Sequence, residues 1–360
     1  AVEFAARHAA RCAMALTDGF PVFSTAQASE RLTRYLLPIE PKWDGSHLTW
    51  LWFRYRDQHV FWPWNEQDAE HRADADVPDL DFIQRGVVEL LEAGDGYRIG
   101  YASAFRHRGL ALLPELRVPV CFGNRPGDSQ YRTLSRYPED AWTQVFPRDA
   151  LEAAAAEREV LLRHPARGGV PAAPRPAPIP GRPTADYVEV QGRQVLIRGN
   201  DDLRAAPPLV TVPHVPGSSA LDEGLIAAVG AHHPVLAFDP PGHGESEPRA
   251  DAAQSPDVWA VTLWAVLDAL GVGAAHLHGR GGAAAAVIAA AAARPRRALS
   301  LILEAPITLH AAERAEYAPR WPPDATPWWY STHLPPMSHP RRAMALWFPW
   351  WRRDRAHAHP

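Results

Sequence analysis

Polar and apolar positions alternate along residues 187–198 around a Gln191-Gly192 dipeptide, the pattern of an opening β-hairpin. Downstream the pattern changes. Leu209–Val212, Val235–Phe238 and residues 299–303 are short, nearly unbroken apolar runs, suited to strands of a parallel sheet covered on both faces. Residues 13–16 and 118–122 read as further strands in the first half of the chain. Another apolar strand runs into the turn Gly279-Arg280-Gly281-Gly282, and an alanine-rich helix follows over 283–293, about three turns long. Between the halves, residues 165–183 are dense in proline, which excludes a helix or a central strand and predicts an extended linker.

The two ends of the chain resemble each other. Residues 1–16 match residues 286–301 without a gap, and both stretches then reach a proline, Pro21 and Pro306. After a one-residue shift, Trp43, His47 and Leu48 match Trp329, His333 and Leu334. Trp62-Pro63-Trp64 with Asp68 likewise matches Phe348-Pro349-Trp350 with Asp354. The repeat distance is the size of one whole domain. The chain therefore reads as a window on a tandem duplication, and Ala1, already inside a helical pattern, suggests a cut from something longer. Residues 1–164 are expected to be the second half of one copy, with a cap over 25–110. Residues 165–184 are the linker, and 185–360 the first half of the next copy with the start of its cap. Being complementary pieces, the halves could complete one sheet in permuted order.

Three turns carry the chemistry, and together they resemble a family. Leu209–Val212 leads into Pro213-His214-Val215-Pro216-Gly217, similar to a His-Gly-x-Pro-Gly turn. Val235–Phe238 leads into Asp239-Pro240-Pro241-Gly242-His243-Gly244-Glu245-Ser246, similar to Asp-x-Pro-Gly-His-Gly-x-Ser. The glycine turn before the alanine helix is similar to the nucleophile elbow Gly-x-Ser-x-Gly, a strained turn that lifts one side chain out between a strand and a helix. In this order the motifs resemble the alpha/beta-hydrolase superfamily, in particular capped members such as epoxide hydrolases and haloalkane dehalogenases. The resemblance implies an α/β fold with a mainly parallel sheet flanked by helices and a helical, Trp-rich cap.

It also implies catalytic parts, and here the chain departs from the family. Setting Gly281 and Gly282 on the elbow's last two glycines puts Gly279 at the nucleophile position, and the next register puts Arg280 there. Neither supplies an oxygen, thiol or carboxylate for a covalent intermediate. The oxyanion turn carries Pro213, which has no N–H to donate, followed by His214. Asp128, in Gly123-Asn-Arg-Pro-Gly-Asp128, matches the position of the catalytic acid. Asp18 and Glu304 stand at the end of the preceding strand in the two copies, where some relatives carry the acid. No histidine follows the last strand, in the segment 141–150, where the family places its base. In the cap, Trp43, His47, Trp62 and Trp64 are candidates for contacting a small apolar ligand, and the same tryptophans also suit anchoring the cap to its core.

Composition narrows the classes. At 46% hydrophobic residues, the 360-residue chain can build a real core. A formal net charge of −4 gives no electrostatic case for nucleic acid or an anionic membrane. Lys42 is the only lysine, and the arginines are scattered among acidic residues. Cys12 and Cys121 are too few for a disulfide framework, which fits a reducing, cytoplasmic setting. No segment reaches membrane-spanning length, and neither metal-ligand spacing nor a phosphate-cradling loop occurs, so no cofactor is expected. The functional expectation is a hydrolase-fold protein with a degenerate catalytic site that supports a sister copy or binds without turnover. The alternatives are an active hydrolase of a small apolar ester, amide, epoxide or halide with its nucleophile outside this window, and a structural or partner-binding module.

Overall fold

The computed structural model describes residues 1–107, 109–166, 168–169, 182–200, 203, 205–214, 217–248, 255–320, 326–334 and 355–357. The chain divides into two compact units, Ala1–Val170 with Tyr317–Pro360, and Pro171–Glu316. Its strands form two sheets rather than the single permuted one. Among the described residues of the stretch from Tyr317 onward, Trp328–Leu334 group with the first unit. The physical reason is their contact with the cap, where the Trp52 indole donates to the Trp329 carbonyl at 3.0 Å. The Pro-rich linker and residues 347–354 lie largely outside the described residues.

In the first unit, α1 (Val2–Arg7) and β1 (Ala15–Asp18) precede the cap helices α2 (Thr25–Glu30), α3 (Ser46–Asp57), α4 (Leu80–Ala93) and α5 (Tyr97–Phe105). The chain then returns through β2 (Val120–Asn124) and β3 (Thr143–Val145) to α6 (Ala150–Leu162). The sheet order is β1-β2-β3, all parallel. Helix starts follow the sequence closely. Ser24 and Gln27 close a capping box on α2, while Asp79 and Asp149 cap α4 and α6 by accepting backbone N–H groups. The helices α3 and α4 bury Leu48, Leu51, Trp52, Ile83 and Val87 against each other. Gly86 is required there, because a Cβ would stand 1.8 Å from the Tyr55 ring.

The second unit holds β4 (Thr184–Val190), β5 (Arg193–Gly199), β6 (Leu209–Val212), α7 (Glu223–Gly230), β7 (Val235–Phe238), α8 (Pro256–Ala269), β8 (Ala275–Arg280), α9 (Ala284–Ala293), β9 (Ala298–Glu304) and α10 (Ala311–Tyr317). The last residue of α10 already belongs to the first unit. The sheet order is β4-β5-β7-β6-β8-β9. The opening hairpin is antiparallel and pairs antiparallel to β7; the remaining pairs are parallel. Gln191 and Gly192, both at positive φ, make the hairpin turn that the Gln-Gly dipeptide predicted. Ser255 caps α8 with Pro256 in its first turn, a pairing that sets the helix start twice over. Among the described residues no helix is long and apolar enough to cross a membrane.

The core of this unit is formed by Val210, Val212, Leu236, Phe238 and Leu277 of the sheet under Trp259, Leu263, Trp264, Leu267 and Val287. The strand β9 departs from the sequence reading, since Leu299, Leu301, Ile302 and Leu303 are exposed rather than covered on both faces. Trp264 is buried in this core, and its indole donates to the Ala290 carbonyl at 2.9 Å, tying α8 to α9. Replacing it removes both the packing and the donor. Trp264→Ala is expected to lower stability by about 3–5 kcal/mol in denaturant unfolding, whereas the exposed Val261→Ala one turn away is expected to change it little.

Candidate functional site

The carboxyl ends of β6, β8 and β9 meet in the second unit, the place where an open α/β sheet offers a ligand crevice. The last residues of β8 are Gly279 and Arg280, and Gly281 then turns the chain at φ +58° into a short helical turn and α9. Gly279, the expected nucleophile position, lies in the strand two residues before this turn, packed against α9. A Cβ on it would come 2.7 Å from Val287 and 2.9 Å from the Ala283 carbonyl. The residue in the left-handed conformation of an elbow is Gly281, and a Cβ there would stand 2.3 Å from Nδ1 of His214. The sequence pattern around it is Gly279-Arg280-Gly281-Gly282-Ala283, a small residue, the turn, and a small residue again. Accepting Ala283 in place of the final glycine would have revealed this register.

Facing the turn, β6 delivers Pro213 and His214. The Nδ1 of His214 is buried and has no hydrogen-bond partner among the described residues. Pro213 is buried and brings no N–H. Arg280 extends from the strand end toward Glu304, Nε to Oε2 at 3.0 Å.

Glu304 closes a chain of polar contacts that the sequence did not disclose. Oγ1 of Thr211 lies 3.1 Å from Oδ2 of Asp222 and 2.9 Å from Nδ1 of His278, whose Nε2 is 3.3 Å from Glu304. Thr211, Asp222 and His278 are buried. Donor counting allows two patterns with the same number of protons. In one, Asp222 is ionised and accepts from Thr211, while a doubly protonated His278 donates to Thr211 and Glu304. In the other, a protonated Asp222 donates to Thr211, Thr211 donates to a neutral His278, and His278 donates to Glu304. Burial raises the Asp222 carboxyl above the usual range. The hydrogen bond and charge of Arg280 hold Glu304 below its usual range. Both ring nitrogens of His278 are engaged, so it bridges Thr211 of β6 and Glu304 of β9.

The third motif is structural. Asp239 is fully buried; its carboxylate accepts from the Ser219 amide at 2.6 Å and the Glu245 amide at 3.0 Å. Ser246 donates to the Asp239 carbonyl at 2.8 Å.

In the first unit, Asp128 follows β2 and caps a helical turn, accepting from the Gln130 amide at 2.6 Å. Asp18, at the end of β1, is held by Arg125 at 2.8 Å. A cavity of about 120 Å³ is lined by Asp128, Trp62, His71, Arg72, Tyr131 and Arg132, so two sequence candidates, Asp128 and Trp62, share one site. His71 joins them through the loop after α3, and its Nδ1 is 2.8 Å from Asp68. That hydrogen bond draws the Asp68 carboxyl below its usual range. The signal available in the sequence was the Asp68-x-x-His71 spacing. Trp43 and His47 do not line this cavity. Trp43 is 80% exposed, and Nδ1 of His47 accepts from the Lys42 amide at 3.0 Å at the start of α3. Trp64 is buried, donates to the Tyr35 carbonyl at 3.1 Å, and carries the Arg54 guanidinium 5.0 Å from its ring. Burial pushes the Tyr35 hydroxyl up to about 12, against the opposing charge of Arg54. Among the described residues no group of three His, Cys, Asp or Glu side chains could hold a metal ion.

This sheet order, with a glycine turn at the carboxyl end of β8 and a helix behind it, defines a hydrolase-type α/β domain. The sequence model of the alpha/beta hydrolase fold matches residues 207–355. Over that segment the chain is similar to the alpha/beta hydrolase fold. Similar solved structures include the haloalkane dehalogenase DatA from Agrobacterium tumefaciens C58, at 22% identity over 40% of this chain and 52% of that one, with a TM-score of 0.34. They also include the haloalkane dehalogenase DbeA-M1 loop variant from Bradyrhizobium elkanii, at 25% over 38% and 48%, with a TM-score of 0.32. A predicted CIB-like hydrolase from Thermoplasma acidophilum matches at 21% over 34% and 63%, with a TM-score of 0.30. The chain thus spans 42% of the membrane phospholipase A, 63% of the CIB-like hydrolase and about half of the Burkholderia cenocepacia Cfl2 chain it matches. No curated protein matches the chain.

The polar chain gives a pH prediction. The raised carboxyl of Asp222 means that folding favours its protonated form, so its contribution to stability grows as pH falls through the folded pKa and shrinks above it. Asp222→Asn is expected to keep neutral-pH stability at or above the parent value and to flatten this dependence. Thr211→Val, which strands Asp222 and His278, is expected to cost about 1–3 kcal/mol in urea midpoint measurements.

Proposed function

We propose that the second unit is an alpha/beta-hydrolase fold whose catalytic site is degenerate, and that it serves as a non-catalytic copy supporting a sister copy or holding a ligand without turnover. One observation carries this reading: the elbow residue is Gly281, and the His214 imidazole occupies the space into which a nucleophile's Cβ would project. Without an oxygen, thiol or carboxylate at that point no covalent intermediate forms. Pro213 also removes one N–H from the turn that would face a developing oxyanion. His278, the histidine nearest along the strand, is committed to Thr211 and Glu304. Three requirements of acyl transfer are unmet together, which favours loss of turnover over a change of nucleophile.

A specific observation favours ligand binding in the first unit. Trp62 and Tyr131 supply aromatic surface to the cavity that Asp128 and His71 line. A cavity of about 120 Å³ suits a small group rather than a whole drug-sized ligand.

The full chain is expected to hydrolyse none of a panel of short p-nitrophenyl esters, epoxides and haloalkanes above a heat-treated control. Gly281→Ser alone is expected to leave it inactive, since neither the oxyanion donor nor an acid-backed histidine is restored. Saturable turnover by the parent chain, or by that single variant, contradicts the proposal.

A further inference from the structure

The turn that opens the cap in the first unit recurs far down the chain. The Gly45 amide donates to the Lys42 carbonyl at 3.1 Å, and the Ser331 amide donates to the Trp328 carbonyl at 3.0 Å. The Leu48 amide donates to the Gly45 carbonyl and the Leu334 amide to the Ser331 carbonyl, both at 3.0 Å. The Lys42 amide donates to Nδ1 of His47 at 3.0 Å, and the Trp328 amide to Nδ1 of His333 at 3.1 Å. Gly45 and Ser331 both stand at positive φ, 80° and 61°. Ser331 therefore holds a conformation that a serine rarely adopts, at the place where the first turn uses glycine.

Every one of these pairs is separated by 286 positions, and the same offset holds further back. Helix α2 starts at Thr25 and α10 at Ala311. The Ser24 amide donates to Oε1 of Gln27, and the His310 amide to Oε2 of Glu313. Asp18 and Glu304 end their strands, each paired with an arginine and followed by a residue at positive φ, Gly19 and Ala305. Side-chain identities differ at most of these positions, so shared composition does not account for the shared hydrogen bonds.

The second turn is also seated. Ser331, His333 and Leu334 are each at most 5% exposed. The Trp52 indole donates to the Trp329 carbonyl at 3.0 Å, Oγ of Ser331 lies 3.2 Å from Oγ1 of Thr49, and Nε2 of His333 lies 2.8 Å from Oε1 of Gln84. The His333 ring meets the Trp52 ring edge-to-face at 4.7 Å. Because Nδ1 accepts from an amide, the imidazole is neutral and donates from Nε2, so both nitrogens are satisfied in one tautomer.

We propose that residues 304–334 are a second copy of residues 18–48, and that the turn opening the second copy's cap, Trp328–Leu334, is built to seat on the α3–α4 face of the first copy's cap around Thr49, Trp52 and Gln84. The contact is then a cap-to-cap interface between two hydrolase copies. It deepens the sister-copy part of the reading above and rests on it, not on the vacant elbow.

The test uses the full chain carrying Thr49→Cys and Ser331→Cys, mildly oxidised, with the bond located by peptide mass. A disulfide between these positions is expected, and its rate of formation is expected to drop on the order of tenfold when His333→Ala removes the hydrogen bonds to Trp328 and Gln84. The same pair is then placed in a graft in which Trp328→Lys, Tyr330→Asp and Thr332→Ser give the second turn the first turn's residues. Retained cross-linking in the graft supports the second-copy assignment, whereas its loss with the ungrafted pair intact overturns it. Absence of the disulfide in both overturns the seat. Hydrolytic activity, which would contradict the vacant elbow, alters none of these outcomes.

Discussion

The second unit depends on a single backbone conformation. Gly281 turns β8 into α9 at a positive φ that a side chain makes costly, and its missing Cβ leaves room for the His214 ring from the end of β6. The glycine thus does two jobs at once. It closes the strand-to-helix turn on which Val287 and Ala290 reach the core, and it leaves the turn without a side chain. In a working elbow the same strain is maintained to present a reactive group. Here glycine adopts the turn conformation without strain, and the His214 imidazole lies where a Cβ would project.

Around that turn the polar groups are committed to structure. Asp239 knots the turn after β7 through two backbone amides. Thr211, Asp222, His278 and Glu304 link β6, the turn before α7, β8 and β9 in one line of contacts in which every histidine nitrogen has a partner. A buried network of this kind is costly when half satisfied and specific when complete, which explains why an acid with a raised pKa is tolerated at Asp222. The first unit follows another logic, with aromatic packing around Arg54 and Trp64 fixing the cap and a small cavity left between Trp62 and Asp128.

Much of the fold was legible in the sequence because local patterns and global topology agree. The alternation around Gln191-Gly192 gave the hairpin, and the short apolar runs gave the parallel strands. The elbow was legible as a turn but not as a register. Three glycines at 279, 281 and 282 are equivalent on paper, and only φ and the packing of Gly279 on Val287 separate them. The grouping of Trp328–Leu334 with the first unit was invisible, since it depends on contacts such as Trp52 to Trp329 across 277 positions. His71 is marked in the sequence only by its spacing from Asp68, while its place near Asp128 is set by tertiary packing. His47 showed the converse, where a histidine among tryptophans looked ligand-facing but serves as the acceptor that starts a helix.

The proposed vacancy at the elbow is tested most directly by a high-resolution crystal structure of the chain, reading the backbone at residues 279–283 and the His214 ring. The account predicts a left-handed φ at Gly281, an extended Gly279, and the His214 imidazole against the Gly281 Cα. A left-handed Gly279 with the His214 ring turned away from the turn would contradict it, and would return the vacancy to the position two residues earlier.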